Sequence, residues 1–222
     1  MSPSGVPPIR LTAASMTAAG PLFLLYQAIR PYTDETTLDG SRAMASAAWL
    51  VSHLSAVAGF ILFALGLLGT YVILERRSVL RATVITWIGV GLTLPYYGAE
   101  VFGLHVIGAR AVADNDPSLI ALVDEFRTGP VAATTFAAGL LFLAIGAITA
   151  AVSIHRSGLV QRWAATPLAV GFTLFLPQFF GSPTVRIAHG ALMATGSIWL
   201  GLSLLSTRYT PAAVNVRLTA SR

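Results

Sequence analysis

Six stretches of the chain are apolar for long enough to cross a bilayer: residues 11–28, 43–74, 82–111, 131–154, 163–180 and 186–205. A helix rises about 1.5 Å per residue, so about 20 apolar residues traverse a hydrocarbon core about 30 Å thick. Each stretch predicts one transmembrane helix. The second and third exceed the length of one crossing but fall short of two, which predicts tilt or extension beyond the hydrocarbon. Turn residues separate the stretches at 30–41, 75–81, 114–129 and 155–161, and the last junction is the tripeptide Gly181-Ser182-Pro183. The expected fold is an all-α polytopic bundle of six transmembrane helices, forming a single integral membrane domain over residues 1–222.

Composition agrees with a lipid environment. The chain is 55% hydrophobic and 10% charged, well outside what a soluble domain of this size uses. Cysteine is absent, which excludes disulfides, thiolate metal sites and cysteine nucleophiles. The net charge of +5 comes from 14 arginines and no lysine. No basic run interleaved with aromatics accompanies it, so nucleic acid is not an expected partner. The proline-bearing start, with Pro3, Pro7 and Pro8, lacks a short apolar core closed by small residues, and no removable signal peptide is expected.

Arginine placement predicts the orientation. An inside N-terminus puts Arg10, Arg76, Arg77, Arg81, Arg156, Arg162, Arg208, Arg217 and Arg222 in the cytoplasm, and Arg30, Arg42, Arg110, Arg127 and Arg186 outside. This satisfies the positive-inside rule and predicts a multi-pass inner-membrane protein with both termini inside. Asp34, Glu35, Asp39, Asp114, Asp116, Asp124 and Glu125 then fall outside, and Glu75 inside. Small residues in spans two, four and six (Gly66, Gly69, Gly139, Gly146, and Gly190 to Gly201) predict close helix contacts.

With this orientation the polar and aromatic outliers gather in the outer half of the bilayer. They are Tyr26 and Gln27, Trp49 and His53, Tyr96, Tyr97, Glu100 and His105, Gln178, and Arg186 with His189. Glu100 is the one acid inside a predicted span, where a carboxylate costs a few kcal/mol, so it needs a partner or a proton. Tyr96 and Tyr97 precede it by four and three residues and share its helix face, within reach of its carboxyl. Pro95 cannot donate to the carbonyl of Gly91 and predicts a kink beside them. The structural alternative for Glu100 is a pair with Arg186 or His189 that pins two helices. His53, His105 and His189 come from three spans at similar depth and form a candidate axial pair for a b-type haem, or a divalent-metal set, although none shows the spacing of a helical metal motif. Their simpler reading is hydrogen bonding to neighbouring helices or headgroups. Trp163 and Trp87 read as interfacial aromatics at the cytoplasmic side; Phe172, Phe175, Phe179 and Phe180 surround Pro177 in span five and read mainly as packing.

A mostly apolar cavity with one carboxyl, two phenols and many aromatic faces suits general-acid chemistry on a membrane-soluble isoprenoid, since ring faces stabilise a passing cation. The stretches Trp49-Leu-Val-Ser-His53, Tyr96-Tyr97-Gly98-Ala99-Glu100, Ser157-Gly158-Leu159-Val160-Gln161-Arg162-Trp163 and Arg186-Ile187-Ala188-His189-Gly190 resemble a group of small actinobacterial membrane proteins. Overall size and span pattern also resemble the bacterial membrane-bound sesquiterpene cyclases that act on prenylated indoles. That resemblance implies a proton-initiated terpene or meroterpenoid cyclase needing no cofactor, with a hydrophobic substrate inside the bilayer. The fungal relatives of those cyclases use two intramembrane acids; this chain has only Glu100 within a span. In this reading Glu100 is the acid, Tyr96, Tyr97 and His53 complete the catalytic set, and Trp49, His105, Gln178, Phe179, Arg186 and His189 contact substrate. The alternatives are a haem- or metal-binding protein and a non-enzymatic transporter or accessory subunit.

Overall fold

A computed structural model describes residues 8–206. The segment 1–7, with Pro3 and Pro7, and the arginines Arg208, Arg217 and Arg222 lie outside the described residues. Among those described the chain is helical with no strand: α1 (Pro8–Ile29), α2 (Leu38–Met44), α3 (Ala47–Leu74), α4 (Arg77–Gly98), a π turn (Ala99–Gly103), α5 (Leu104–Asp114), α6 (Ile120–Thr128), α7 (Pro130–Ser157), α8 (Thr166–Thr173) and α9 (Pro183–Leu205). Short 3-10 turns at Pro117–Leu119 and Pro177–Phe180 complete it. Five runs are long and apolar enough to cross a membrane: Ile9–Ile29, Ala47–Leu74, Arg77–Asp114, Pro130–Ser157 and Pro183–Leu205.

Local chemistry sets the ends of these helices. Ser46 accepts the Trp49 N–H at 3.2 Å and starts α3. Pro130 and Pro183 open α7 and α9 at a first-turn position that needs no N–H donor. α7 ends at Gly158, whose φ of 68° is left-handed backbone that glycine adopts without strain.

Two departures from the hydropathy pattern matter. The apolar run 163–180 does not form one long helix; α8 covers eight residues and, after a break, the chain re-forms a 3-10 turn at Pro177–Phe180. Pro177 is the physical cause, since it cannot continue the hydrogen-bond ladder of α8. The stretch 114–129, expected as a loop, contains α6, whose Val123 and partly buried Phe126 pack with Trp49, Met44 and Leu104.

Helix directions follow from the close contacts. A Cβ on Gly69 or Gly59 of α3 would meet Thr12 or Phe23 of α1, so these helices run antiparallel. Likewise Gly190 and Gly201 of α9 meet Phe23 and Thr17 of α1, and Gly139 and Gly146 of α7 meet Thr93 and Thr86 of α4. The small residues picked out in the sequence thus lie where backbones approach closely. α7 and α9 run in the same direction, and the chain returns between them through α8, which lies antiparallel to α9 with Leu168 at Gly196 and Gly171 at Met193. Phe23, Phe60, Phe63, Phe172 and Phe175 fill the centre, while Leu141, Val106 and Phe102 stand outward, more than half exposed. An apolar exterior of this kind belongs against lipid.

Candidate functional site

One end of the bundle gathers the C-terminus of α1, the N-termini of α3, α7 and α9, and the region where α4 passes into the π turn. Pro95, in the last turn of α4, leaves the helix ladder one donor short. Four residues on, the ladder widens: the Leu104 N–H donates to Ala99, five residues back, which is the π pattern. The Glu100 carbonyl instead receives the Trp49 indole N–H at 2.7 Å. A buried indole from α3 thus braces the irregular backbone that carries the acid.

The Glu100 side chain is buried and points into the protein. Its two oxygens accept from Arg127 of α6, Nε to Oε1 at 2.8 Å and Nη2 to Oε2 at 2.9 Å. Two N–H donors on two oxygens is the arrangement of a carboxylate, and the fork geometry is that of strong guanidinium pairs. The third guanidinium nitrogen of Arg127 donates to Glu35, which also accepts from Arg30 Nη2 at 2.9 Å. Arg30, Glu35, Arg127 and Glu100 therefore form one chain of alternating charge. Arg30 and Arg127 also lie over the Trp49 ring, 5.1 and 5.9 Å from its centroid.

Charge alternation tunes the members that lie outside the membrane-spanning runs. Burial alone would raise the Glu35 carboxyl, but the flanking Arg30 and Arg127 outweigh it and hold it below its ordinary value. Burial pulls Arg127 down, yet the hydrogen bonds and charge of Glu100, with Glu35, raise it further. Arg30 is raised on the same balance, burial being outweighed by neighbouring Tyr26, Glu35 and Glu100.

This network forms one side of a cavity of about 860 Å³. Tyr96, Tyr97, Phe136 and Phe179 supply aromatic wall, and Arg186 closes the side near Gly181 and Pro183. His53 reaches the cavity from α3. Its Nδ1 sits 2.9 Å from the Trp49 carbonyl, which can only accept, so Nδ1 carries the hydrogen and Nε2 faces Glu100 Oε2 at 3.8 Å. That gap is too long for a direct hydrogen bond.

Of the residues singled out in the sequence, Glu100, Tyr96, Tyr97, His53, Phe179 and Arg186 line this cavity. Trp49 stands behind it, its ring tilted against that of His53 with centroids 4.3 Å apart. Gln178 is buried beside it, accepting from Gln27 at 3.3 Å, and His105 and His189 are elsewhere. His105 bonds the Met44 carbonyl at 3.0 Å, and His189 bonds that of Gly171 at 2.8 Å while its ring meets Phe175 edge-on. The three imidazoles occupy three surroundings and share no hollow. Among the described residues no group of three or more His, Asp or Glu is placed to hold a metal ion.

The partners expected for Glu100 need correction. Arg186 donates to the backbone carbonyls of Phe179 and Gly181, and His189 to Gly171, so neither reaches the acid. The phenols do not bond its carboxyl either: Tyr96 stacks on Phe136 at 4.1 Å, and Tyr97 packs edge-on against Tyr26 and Phe60. A protonated carboxyl oriented by tyrosines is replaced by a carboxylate gripped by Arg127.

Arg127, Glu35 and Arg30 were not among the candidates because they lie outside or at the edge of the apolar runs. One signal was present. Residues 120–128 place Leu122, Val123 and Phe126 at helical spacing, so the loop before α7 reads as a short amphipathic helix able to bring Arg127 onto the bundle end. No known protein family, curated protein or solved structure matches this chain.

Proposed function

We propose that this is a six-pass cell-membrane protein whose cavity, at the extracytoplasmic end, binds a small molecule carrying an apolar chain. The fifth passage is the broken segment through α8, and both termini lie inside. The arginines Arg10, Arg76, Arg77, Arg81, Arg156 and Arg162 at the end remote from the cavity support that orientation. The observation that carries the binding reading is the cavity itself: about 860 Å³, walled by Tyr96, Tyr97, Phe136 and Phe179 on one side and by the ionic chain of Arg30, Glu35, Arg127 and Glu100 on the other. Volume of that order suits a ligand of drug or isoprenoid size, and an apolar wall with few convergent polar groups is the usual composition of such sites.

The test fills the space. Ala133 lines the cavity, and Ala133→Trp places an indole in it. Organic extracts of purified wild-type protein should contain an apolar small molecule that is depleted from the Ala133→Trp extract. Identical extracts from two folded proteins would dismiss ligand binding in this cavity.

A second reading, proton-initiated cyclisation of an isoprenoid, is supported by the ring faces around the space, which suit a carbocation. The enzymes it resembles have fungal relatives with two acids; here a second acid, Glu35, lines the cavity from outside the spans. In this reading substrate displaces Arg127, Glu100 takes a proton from water at the cavity mouth and delivers it to a substrate double bond, and His53 Nε2 accepts the proton lost when the final cation closes to an alkene. Membranes carrying Glu100→Gln should lose product from a farnesylated substrate; unchanged product removes the cyclase reading and leaves the binding reading standing.

A further inference from the structure

The cavity's three arginines differ in how their charge is met. Arg30 is neutralised by Glu35, and Arg127 by Glu100 and Glu35. Arg186 lies within ion-pairing distance of no carboxylate among the described residues. It is nevertheless held in place. Its Nε donates to the Gly181 carbonyl at 3.2 Å, its Nη2 donates to the Phe179 carbonyl, and its guanidinium carbon lies 5.7 Å from the centre of the Tyr32 ring. Two carbonyls and a ring face thus fix the guanidinium, and Nη1 has no acceptor among the described residues.

A half-buried arginine on an aromatic-walled cavity is costly in a membrane unless an anion meets it. An arginine that only snorkels to water would extend away from the turn; this one is drawn back onto the Phe179–Gly181 backbone. Asp34, which also has no ionic partner among the described residues, is exposed and turned onto its own loop, accepting from the Thr36 N–H and hydroxyl. Water screens it, so it does not neutralise Arg186.

We propose that the cavity's ligand is an amphiphile with an anionic head: Arg186 takes the phosphate or carboxylate at the rim, and the chain lies along Tyr96, Phe136 and Phe179. This rests on the ligand-binding reading and adds the chemical class to it. The free Nη1 edge offers charge-assisted hydrogen bonds to the head. The charges of Arg30, Glu35, Arg127 and Glu100 are met within their own chain, which leaves Arg186 as the cavity's cation with no carboxylate among the described residues, although the buried Arg30 Nε lacks a hydrogen-bond partner there.

The test compares three probes on the purified full-length protein in neutral detergent, read by native mass spectrometry and thermal shift: farnesyl phosphate, farnesol and inorganic phosphate. Farnesyl phosphate should bind about tenfold or more tighter than farnesol, inorganic phosphate should not bind measurably, and Arg186→Gln should bring the two farnesyl probes to similar affinity. Arg186→Lys should keep part of the preference. Equal binding of farnesyl phosphate and farnesol to wild-type protein overturns the anionic head while the cavity reading survives. Binding of inorganic phosphate as tightly as farnesyl phosphate overturns the amphiphile in favour of a simple anion site. Binding of neither farnesyl probe sinks both this inference and the cavity reading. The wild-type comparison decides even if the variants fail to fold.

Discussion

Arg127 grips both carboxylate oxygens of Glu100, at 2.8 and 2.9 Å, from a short helix outside the membrane-spanning runs. The pair joins the π turn after α4 to the segment before α7, and through Glu35 it also ties down the end of α1. A single guanidinium therefore ties three parts of the chain around the cavity.

Removing that guanidinium strands the Glu100 carboxylate and leaves Glu35 to Arg30 alone. Arg127→Ala should destabilise the protein by about 3–5 kcal/mol, the range for breaking one partner of a buried pair. Arg127→Lys, which keeps the charge and loses the fork, should cost distinctly less. Thermal unfolding in detergent checks both; a melting temperature for Arg127→Ala equal to wild type would show that the pair carries no stability.

The brace behind the acid is separable from the acid. Trp49→Phe keeps most of the ring contact with His53 and Arg30 but deletes the N–H that satisfies the Glu100 carbonyl. Loss of a buried partner predicts about 1–3 kcal/mol of destabilisation. An unchanged melting temperature would mean that the π turn holds itself without the indole.

Acid should loosen the network through Glu35. Its folded carboxyl titrates below its ordinary value because Arg30 and Arg127 overcome the effect of burial. A depressed folded pKa contributes stability that is fully present above the unfolded carboxyl's pKa, about 4.3, and is lost as pH falls through the lower folded value. Glu35→Gln should therefore lower stability at pH 7 and flatten its decline in that acid window, as followed by melting temperature against pH. Parallel declines in the two proteins would contradict the assignment.

Close helix contact can be tested against its own control. A Cβ on Gly139 would lie 2.5 Å from Thr93 Oγ1 and 3.0 Å from the Thr93 backbone nitrogen, whereas one on Gly91 meets nothing within 4 Å. Gly139→Ala should destabilise by about 1–3 kcal/mol through overpacking of α4 and α7. Gly91→Ala should be neutral or should stabilise by up to about 1 kcal/mol, because alanine is the better helix former. Equal melting temperatures would place the α4–α7 interface elsewhere.

Orientation is directly accessible because the chain has no cysteine to give background. Ser118, exposed near the cavity end, and Ser78, exposed at the opposite end, can each be replaced by cysteine. A membrane-impermeant maleimide added to intact cells should label Ser118→Cys and not Ser78→Cys. The reverse pattern would invert the protein in the membrane.

Local properties were legible in the sequence. Hydropathy marks apolar runs wherever they occur, and five of them are helices of crossing length. A lone acid among apolar residues identified Glu100, and counting along its helix brought Tyr96 and Tyr97 beside it, all three on the cavity. What it could not supply was the acid's partner. Arg127 is 27 residues from Glu100 and 92 from Glu35, and all three meet only because α6 folds back over the end of the bundle. Helical phase also misled at this point, since it aimed two phenols at a carboxyl that the π turn and α6 hand to a guanidinium instead. Similar predicted depth likewise failed to bring His53, His105 and His189 together, because each imidazole found a backbone carbonyl on its own side of the bundle. Whether a residue lies in lipid is decided by its neighbours along the chain; which charge meets which is decided by helix packing, and only the tertiary structure contains that.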